Sequence, residues 1–346
     1  MSPSSEADSQ ASATDSSQSS GAASGEQPGA APASHQKMPR PQWVLQSLLV
    51  FLSSAVLFLS AFFAVAAPIP LILLNLVRGR KWALLAATTN AVIVFLLAGP
   101  VSLGLYLTFT VSVGFVLPEL LRRGTRIEWT VLASMGSIIA TGALMLGALA
   151  LIQARGMSHP ILELKNEVAS VVDQLGQAVS SQLAKQSGLV SKDEVQEAVD
   201  AWKKSLVEDF PSSLGIFSLV LVWLNLSVTL RANPARVREK LKLAPGGLRA
   251  WKSPEWLVWP TIAVGAISMF APAPWTLVGS NLLKFFLAVY ALQGVAILAS
   301  VMDRVGIRGL LRPIIFCGML FFALPLLLGV GFFDLWFDFR AKLRQK

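Results

Sequence analysis

Seven polar side chains stand within, or at the edge of, stretches otherwise built from apolar residues: Asn75, Asn90, Glu119, Asn225, Asn281, Lys284 and Gln293. Polar groups are costly in lipid, so they face a cavity or another helix. These are the positions at which a ligand could be held by hydrogen bonds or charge. Asn281 and Lys284 are three residues apart and share one helix face, whereas Tyr290 and Gln293 share roughly the opposite one. A charged amine inside a span costs about 3 kcal/mol unless it snorkels or pairs. Lys284 therefore has two readings, an ammonium snorkelling to the outer interface or a contact to a ligand or counter-ion. The asparagines read first as interhelical hydrogen-bonding groups and second as ligand contacts. Glu119, beside Arg122 and Arg123, reads first as half of an interfacial salt bridge.

Other chemistry finds no foothold. The chain has no His-Glu-x-x-His, no Gly-x-Ser-x-Gly, no Walker A loop and no cluster of Cys or His. Its two histidines are His35 and His159, and its single cysteine, Cys317, lies inside an apolar run. The expectation is a protein that is not an enzyme and holds no cofactor and no metal. Active transport would need an ion gradient or a separate ATPase.

The elements that position these groups follow from composition. The chain has 346 residues and a mass of 37.1 kDa; 54% of residues are hydrophobic, 14% are charged, and mean hydropathy is +0.60. That excludes a single soluble globule. The formal net charge is +9, but the basic residues cluster beside apolar runs, which reports membrane sidedness rather than a nucleic-acid partner. The expected partner is the bilayer, and the expected fold class is all-α: a polytopic helical membrane protein of about eight to nine transmembrane helices with an amphipathic extracytoplasmic insert.

The expected organisation is a disordered polar tail (1–42), a first transmembrane bundle (43–152), an extracytoplasmic helical insert (153–210), a second bundle (211–340) and a basic tail (341–346). The first 36 residues carry no Lys or Arg and too little apolar surface to order, and they lack the pattern of a cleavable secretory signal. The run from Trp43 to Val77 is 35 residues long, where about 20 make a span. Pro68 and Pro70 interrupt it, so it divides into segments near 43–61 and 63–77. Further segments fall near 82–98, 101–118, 127–152, 211–230, 256–272, 277–301 and 313–332.

Eighteen Lys and Arg residues lie at the tail edge and in the loops 78–81, 122–126, 231–252 and 302–312, and placing them all in the cytoplasm puts the insert outside. Nine spans from an inside tail then leave Arg340, Lys342, Arg344 and Lys346 outside, unless that end is interfacial or one segment does not cross. A single span over 43–77 with the tail outside keeps every later loop on its side.

In the insert, Leu164, Val168, Val171, Leu175, Val179 and Leu183 recur at helical spacing. Gly188 breaks that helix, and Ser191 with Glu194 forms a capping box for a second. Leu164, Val168, Val171 and Leu175 offer a homodimer contact within 160–209, although fewer than three clean heptads are present. Ala83, Ala87 and Ala91 would admit a close helix neighbour, and Trp336, Phe337 and Phe339 read as an aromatic belt.

The stretch Ala67-Pro68-Ile69-Pro70 running to Arg78-Gly79, Asn281 through Tyr290 to Gln293-Gly294, and the terminal Phe333-Asp334-Leu335-Trp336-Phe337-Asp338-Phe339-Arg340 resemble the YybS-like bacterial membrane proteins, a family of unknown function. The resemblance covers about 43–152 and 211–340, and implies the bacterial cytoplasmic membrane. In architecture the front half is distantly similar to the substrate-binding subunits of energy-coupling-factor vitamin transporters. That likeness implies a solute cavity among about six helices and a cytosolic ATPase module as partner. Those subunits dock their ATPase through alanines four apart on the first helix, whereas here Ala55 is followed by Leu59 and Ala61 by Val65. Two functions follow: a solute-binding or transport subunit using the polar residues above, or a scaffold binding protein partners through 153–210 and the basic loop 231–255. That loop would also attract anionic headgroups.

Overall fold

The computed structural model describes residues 51–154, 208–232, 251–307 and 309–339, with isolated positions between 170 and 206 and at 248 and 342, all within the compact unit Leu45–Lys346. The polar tail, most of the insert with its capping box and dimer face, and most of the basic loop lie outside the described residues.

The described residues are helical. Helix α1 covers 51–59, and after a single turn at Ala64–Ala66 α2 spans Pro68–Arg78, with proline at the first helical position where a missing N–H costs nothing. Helix α3 spans Arg80–Leu105, a π-helical stretch spans Tyr106–Val111, and α4 spans Ser112–Arg123. These three form one apolar run of 44 residues, which would extend about 66 Å, twice the hydrocarbon thickness. The run does not stay straight. Gly99 has φ 80° and ψ −177°, a conformation that favours glycine, and Pro100 follows it. Arg80 lines the same cavity as Arg122 and Arg123, so the chain doubles back at Gly99-Pro100. The two legs coincide with the segments expected at 82–98 and 101–118.

Helix α5 spans Ile127–Ala154 and α6 spans Phe210–Ala232; a turn at Glu255–Leu257 leads into α7, Val258–Phe270. Helix α8 spans Trp275–Val305, α9 Leu311–Phe322 and α10 Leu324–Phe337.

Each of the nine expected segments falls on described helix, the first from residue 51 onward and the last over both α9 and α10; length and composition alone pick out a smaller set of stretches able to cross, in which the folded-back Arg80–Arg123 is one stretch of two legs. Among the described residues four stretches are long and apolar enough, Arg80–Arg123, Ile127–Leu151, Phe210–Ala232 and Trp275–Val305, and five if α9 with α10 counts as one. Ala64–Arg78 and Glu255–Phe270 are short, and α9 and α10 meet at a bend of 94°. Hydropathy reports that a segment is apolar; whether its helix is long or straight enough to cross is decided by Pro68, Gly99 and the break at Ala323.

Two buried clusters hold the helices together. Ala55, Leu71, Leu74, Ala86, Ala87, Val94 and Tyr106 join α1, α2 and both legs of the fold-back, with Ala83 also fully buried. Ile72, Val113, Leu117, Val131, Ile138, Leu219, Val222 and Leu226 join α2, α4, α5 and α6. At the α8–α10 crossing backbone meets backbone: a Cβ added to Gly294 would stand 2.1 Å from the Leu327 carbonyl oxygen, and one added to Gly331 would stand 2.0 Å from that of Tyr290. Outward, Phe62, Phe270, Phe321 and Phe322 are exposed, as hydrocarbon rather than water would allow. Cys317 is exposed on α9.

At the far end, Arg312 at the start of α9 pairs with Asp303 at 2.6 Å, and Asp338, just beyond α10, pairs with Lys252 at 2.8 Å.

Candidate functional site

The polar residues singled out by sequence are distributed over the whole bundle. Asn90 on α3 donates to the Phe51 carbonyl at 2.8 Å and accepts from the Ala55 amide, tying α3 to α1. The broken helix before α2 exposes two carbonyls, and Ser54 donates to that of Ala67 while Asn225 on α6 donates to that of Val65, each at 2.9 Å. The side-chain amide oxygen of Asn225, Oδ1, is buried without a partner among the described residues.

The two patches on α8 meet different neighbours. Asn281 accepts from the Ser212 amide at 2.9 Å and donates to the Glu208 carbonyl, so it satisfies the free first-turn groups of α6 from a neighbouring helix. One turn away, Lys284 pairs with Asp209 at 2.5 Å. The hydrogen bond from Lys284 is the main cause that holds the Asp209 carboxyl below its ordinary value. On the other patch, Gln293 accepts from Ser253 and donates to Asp334 at 3.0 Å, and Tyr290 meets Thr261. Asp334 is fully buried and also accepts from the Phe339 amide at 2.9 Å. Asp334 is interleaved in sequence with the aromatic residues of the belt; its burial follows from the close α8–α10 crossing, for which no side-chain pattern gives a signal. Asn75 and Glu119 line one small cavity at the basic turn, where Glu119 pairs with Arg123 at 2.9 Å.

A larger cavity of about 700 Å³ opens between α5, α6, α8 and the segment leading into α7. Its wall is apolar, with Val131 and Met135 from α5, Leu219 from α6, and Phe285, Val289 and Leu292 from α8. From Ile127 to Met135 it runs about 12 Å along α5. Trp223 and Trp251 pack edge to face with centroids 4.8 Å apart, and the Trp251 indole N–H donates to Glu128 at 2.9 Å. Trp129 and Trp256 are exposed at the mouth. Its charged residues are Arg126, Glu128 and Lys252, the last also bound to Asp338. The volume lies within the range of small-molecule pockets, about 300–1,000 Å³. The site can hold an apolar body with a polar end at the rim.

None of the seven polar residues lines this cavity. Its tryptophans are four of the chain's ten, and each of Trp129, Trp251 and Trp256 flanks a basic cluster in sequence. That flanking position was the available signal; the convergence of α5, α6 and the segment before α7 was not visible in it.

No curated protein and no solved structure matches the chain. The family model described as predicted membrane protein (DUF2232) matches residues 44–335. The match covers most of the chain, and the chain belongs to this family of predicted membrane proteins.

Proposed function

We propose that the chain is a membrane-embedded binding protein for a largely apolar, amphiphilic molecule, taken from the bilayer into the tryptophan-lined cavity between α5, α6 and α8. One observation carries this reading: a cavity of about 700 Å³ with an apolar wall and its charges gathered at Arg126, Glu128 and Lys252. A polar vitamin would leave its own hydrogen-bonding groups unpaired against such a wall, whereas an alkyl or ring system gains from burial there. The expectation of a solute-binding subunit is thus kept, with the solute moved from polar to apolar. Binding of this kind needs no catalytic group, no ATPase module and no second copy paired through 160–209. We place the protein in the bacterial cytoplasmic membrane, on the resemblance of its motifs to bacterial membrane proteins.

The test uses full-length protein in nanodiscs, with dibrominated stearic acid as probe and tryptophan fluorescence and native mass spectrometry as readouts. The expected result is one adduct per chain with quenching, weakened at least tenfold by Val289→Trp, which fills the cavity. An adduct that survives Val289→Trp undiminished, or no adduct with the wild-type chain, refutes the reading.

A further inference from the structure

The small cavity at the basic turn, about 320 Å³, is a separate case. Arg80 begins α3, and Arg122 and Arg123 end α4; the fold-back at Gly99-Pro100 brings all three to one cavity that holds a single carboxylate, Glu119. Positive charge therefore outweighs negative there. Topology asks only that basic residues lie on this face of the membrane; it does not ask that residues 80 and 122 meet in one concavity.

The guanidinium of Arg122 is held in place. It donates to the main-chain and side-chain oxygens of Asn75, the latter at 3.0 Å, and Asn75 is buried. These bonds occupy one terminal nitrogen of a five-donor fork; the other lies 3.9 Å from a Glu119 carboxylate oxygen, a loose ion pair beyond hydrogen-bond reach, so its donors can still turn to an anion in the cavity. Arg123 is tied to Glu119 through Nε and one terminal nitrogen, at 3.0 and 2.9 Å. Arg80 is exposed and makes no ion pair among the described residues. Fixed guanidinium groups with spare parallel donors match the oxygens of a phosphate, and arginine suits that planar recognition. The remaining wall is Phe115, Val116 and Leu120, so the charged half of the cavity adjoins an apolar half. Basic pockets between membrane helices on the cytoplasmic side are suited to anionic headgroups.

We propose that the cavity formed by Arg80, Arg122 and Arg123 binds a phosphate-bearing anion, the chemistry shared by a phospholipid headgroup and free phosphate. This site is independent of the tryptophan-lined cavity and stands if that one fails.

The test places the full-length chain in phosphatidylcholine nanodiscs, titrated in one arm with phosphatidylglycerol and in the other with inorganic phosphate, and counts retained adducts by native mass spectrometry. Retention of phosphatidylglycerol alone assigns a lipid headgroup site, and retention of phosphate a soluble-anion site; either supports the proposal. Arg80→Gln and, separately, Arg123→Gln should each weaken binding about fivefold. Lys81→Gln removes the same charge one residue from Arg80 without lining the cavity, and should leave binding within twofold. Because Arg80 and Lys81 are both exposed, neither change threatens the fold. Failure of both ligands to bind above phosphatidylcholine, or an equal loss in Lys81→Gln, overturns the proposal.

Discussion

Replacing Gly331 by alanine should separate α8 from α10, and the size of the effect can be worked from the crossing. The new Cβ would lie 2.0 Å from the Tyr290 carbonyl oxygen, where ordinary contact begins near 3.4 Å. The obstacle is helix backbone, so no side-chain rotation relieves it, and the helices must part by more than 1 Å. A gap of 0.5–1 Å already forfeits a quarter to a half of each dispersion contact across it. The movement also pulls on the 3.0 Å hydrogen bond from Gln293 to Asp334, and such bonds average about 0.6 kcal/mol in membrane proteins. Overpacking of this kind costs about 1–3 kcal/mol. With the rigid obstacle and the strained hydrogen bond, about 3 kcal/mol is expected, and the same for Gly294→Ala. Gly329→Ala on the same helix meets nothing within 4 Å. It should be neutral, or stabilising by up to about 1 kcal/mol through helix propensity. Thermal unfolding in detergent, followed by tryptophan fluorescence and by retention on size exclusion, measures all three. If Gly331→Ala melts as high as Gly329→Ala, the described crossing is wrong.

Breaking the Lys284–Asp209 pair with Asp209→Asn should cost about 1 kcal/mol near neutral pH, since both side chains are partly exposed. Because the folded carboxyl is held below its ordinary value of 3.8, the pair's stabilisation is complete above that pH and is lost as pH falls through the lowered folded value. Melting curves of wild type and Asp209→Asn should therefore converge only in strong acid; convergence already at pH 5 would contradict the assignment. Asn90→Ala removes a tie between α1 and α3 and should lower stability by about 1–2 kcal/mol, whereas Thr89→Ala, partly exposed and with its hydroxyl bonded within its own helix, should change it by less than about 0.5 kcal/mol in the same melts. The lone thiol of Cys317, exposed on α9 beside lipid-facing Ile314 and Phe321, should react slowly with a charged maleimide in liposomes and quickly after denaturation; rapid labelling in intact liposomes would place α9 in water.

Helix positions were readable because a bilayer rewards apolar runs and turns are punctuated by charge: the segments at 127–152 and 211–230 match Ile127–Ala154 and Phe210–Ala232 closely. Ala83 and Ala87 were visible as a close-approach stripe, and both are buried. Lys284 and Asn281 were correctly grouped on one face, yet their partners Asp209 and Ser212 lie about seventy positions earlier, and no local pattern names them. The larger cavity was illegible for a related reason. Trp129, Trp223 and Trp251 lie far apart in sequence, and only the packing of α5, α6 and the segment leading into α7 makes them one wall.

The elbow between α9 and α10 carries a consequence for parity. Arg312 at its entrance is tied to Asp303, and Asp338 at its exit is tied to Lys252, two anchors that both belong to basic loops. A polypeptide that dips into a leaflet and returns adds nothing to the tally of traversals. Were the 94° bend to mark such a dip rather than a broken span, Lys342 would share a compartment with Arg304, and the surplus of terminal cations would cease to violate the charge asymmetry expected from the sequence.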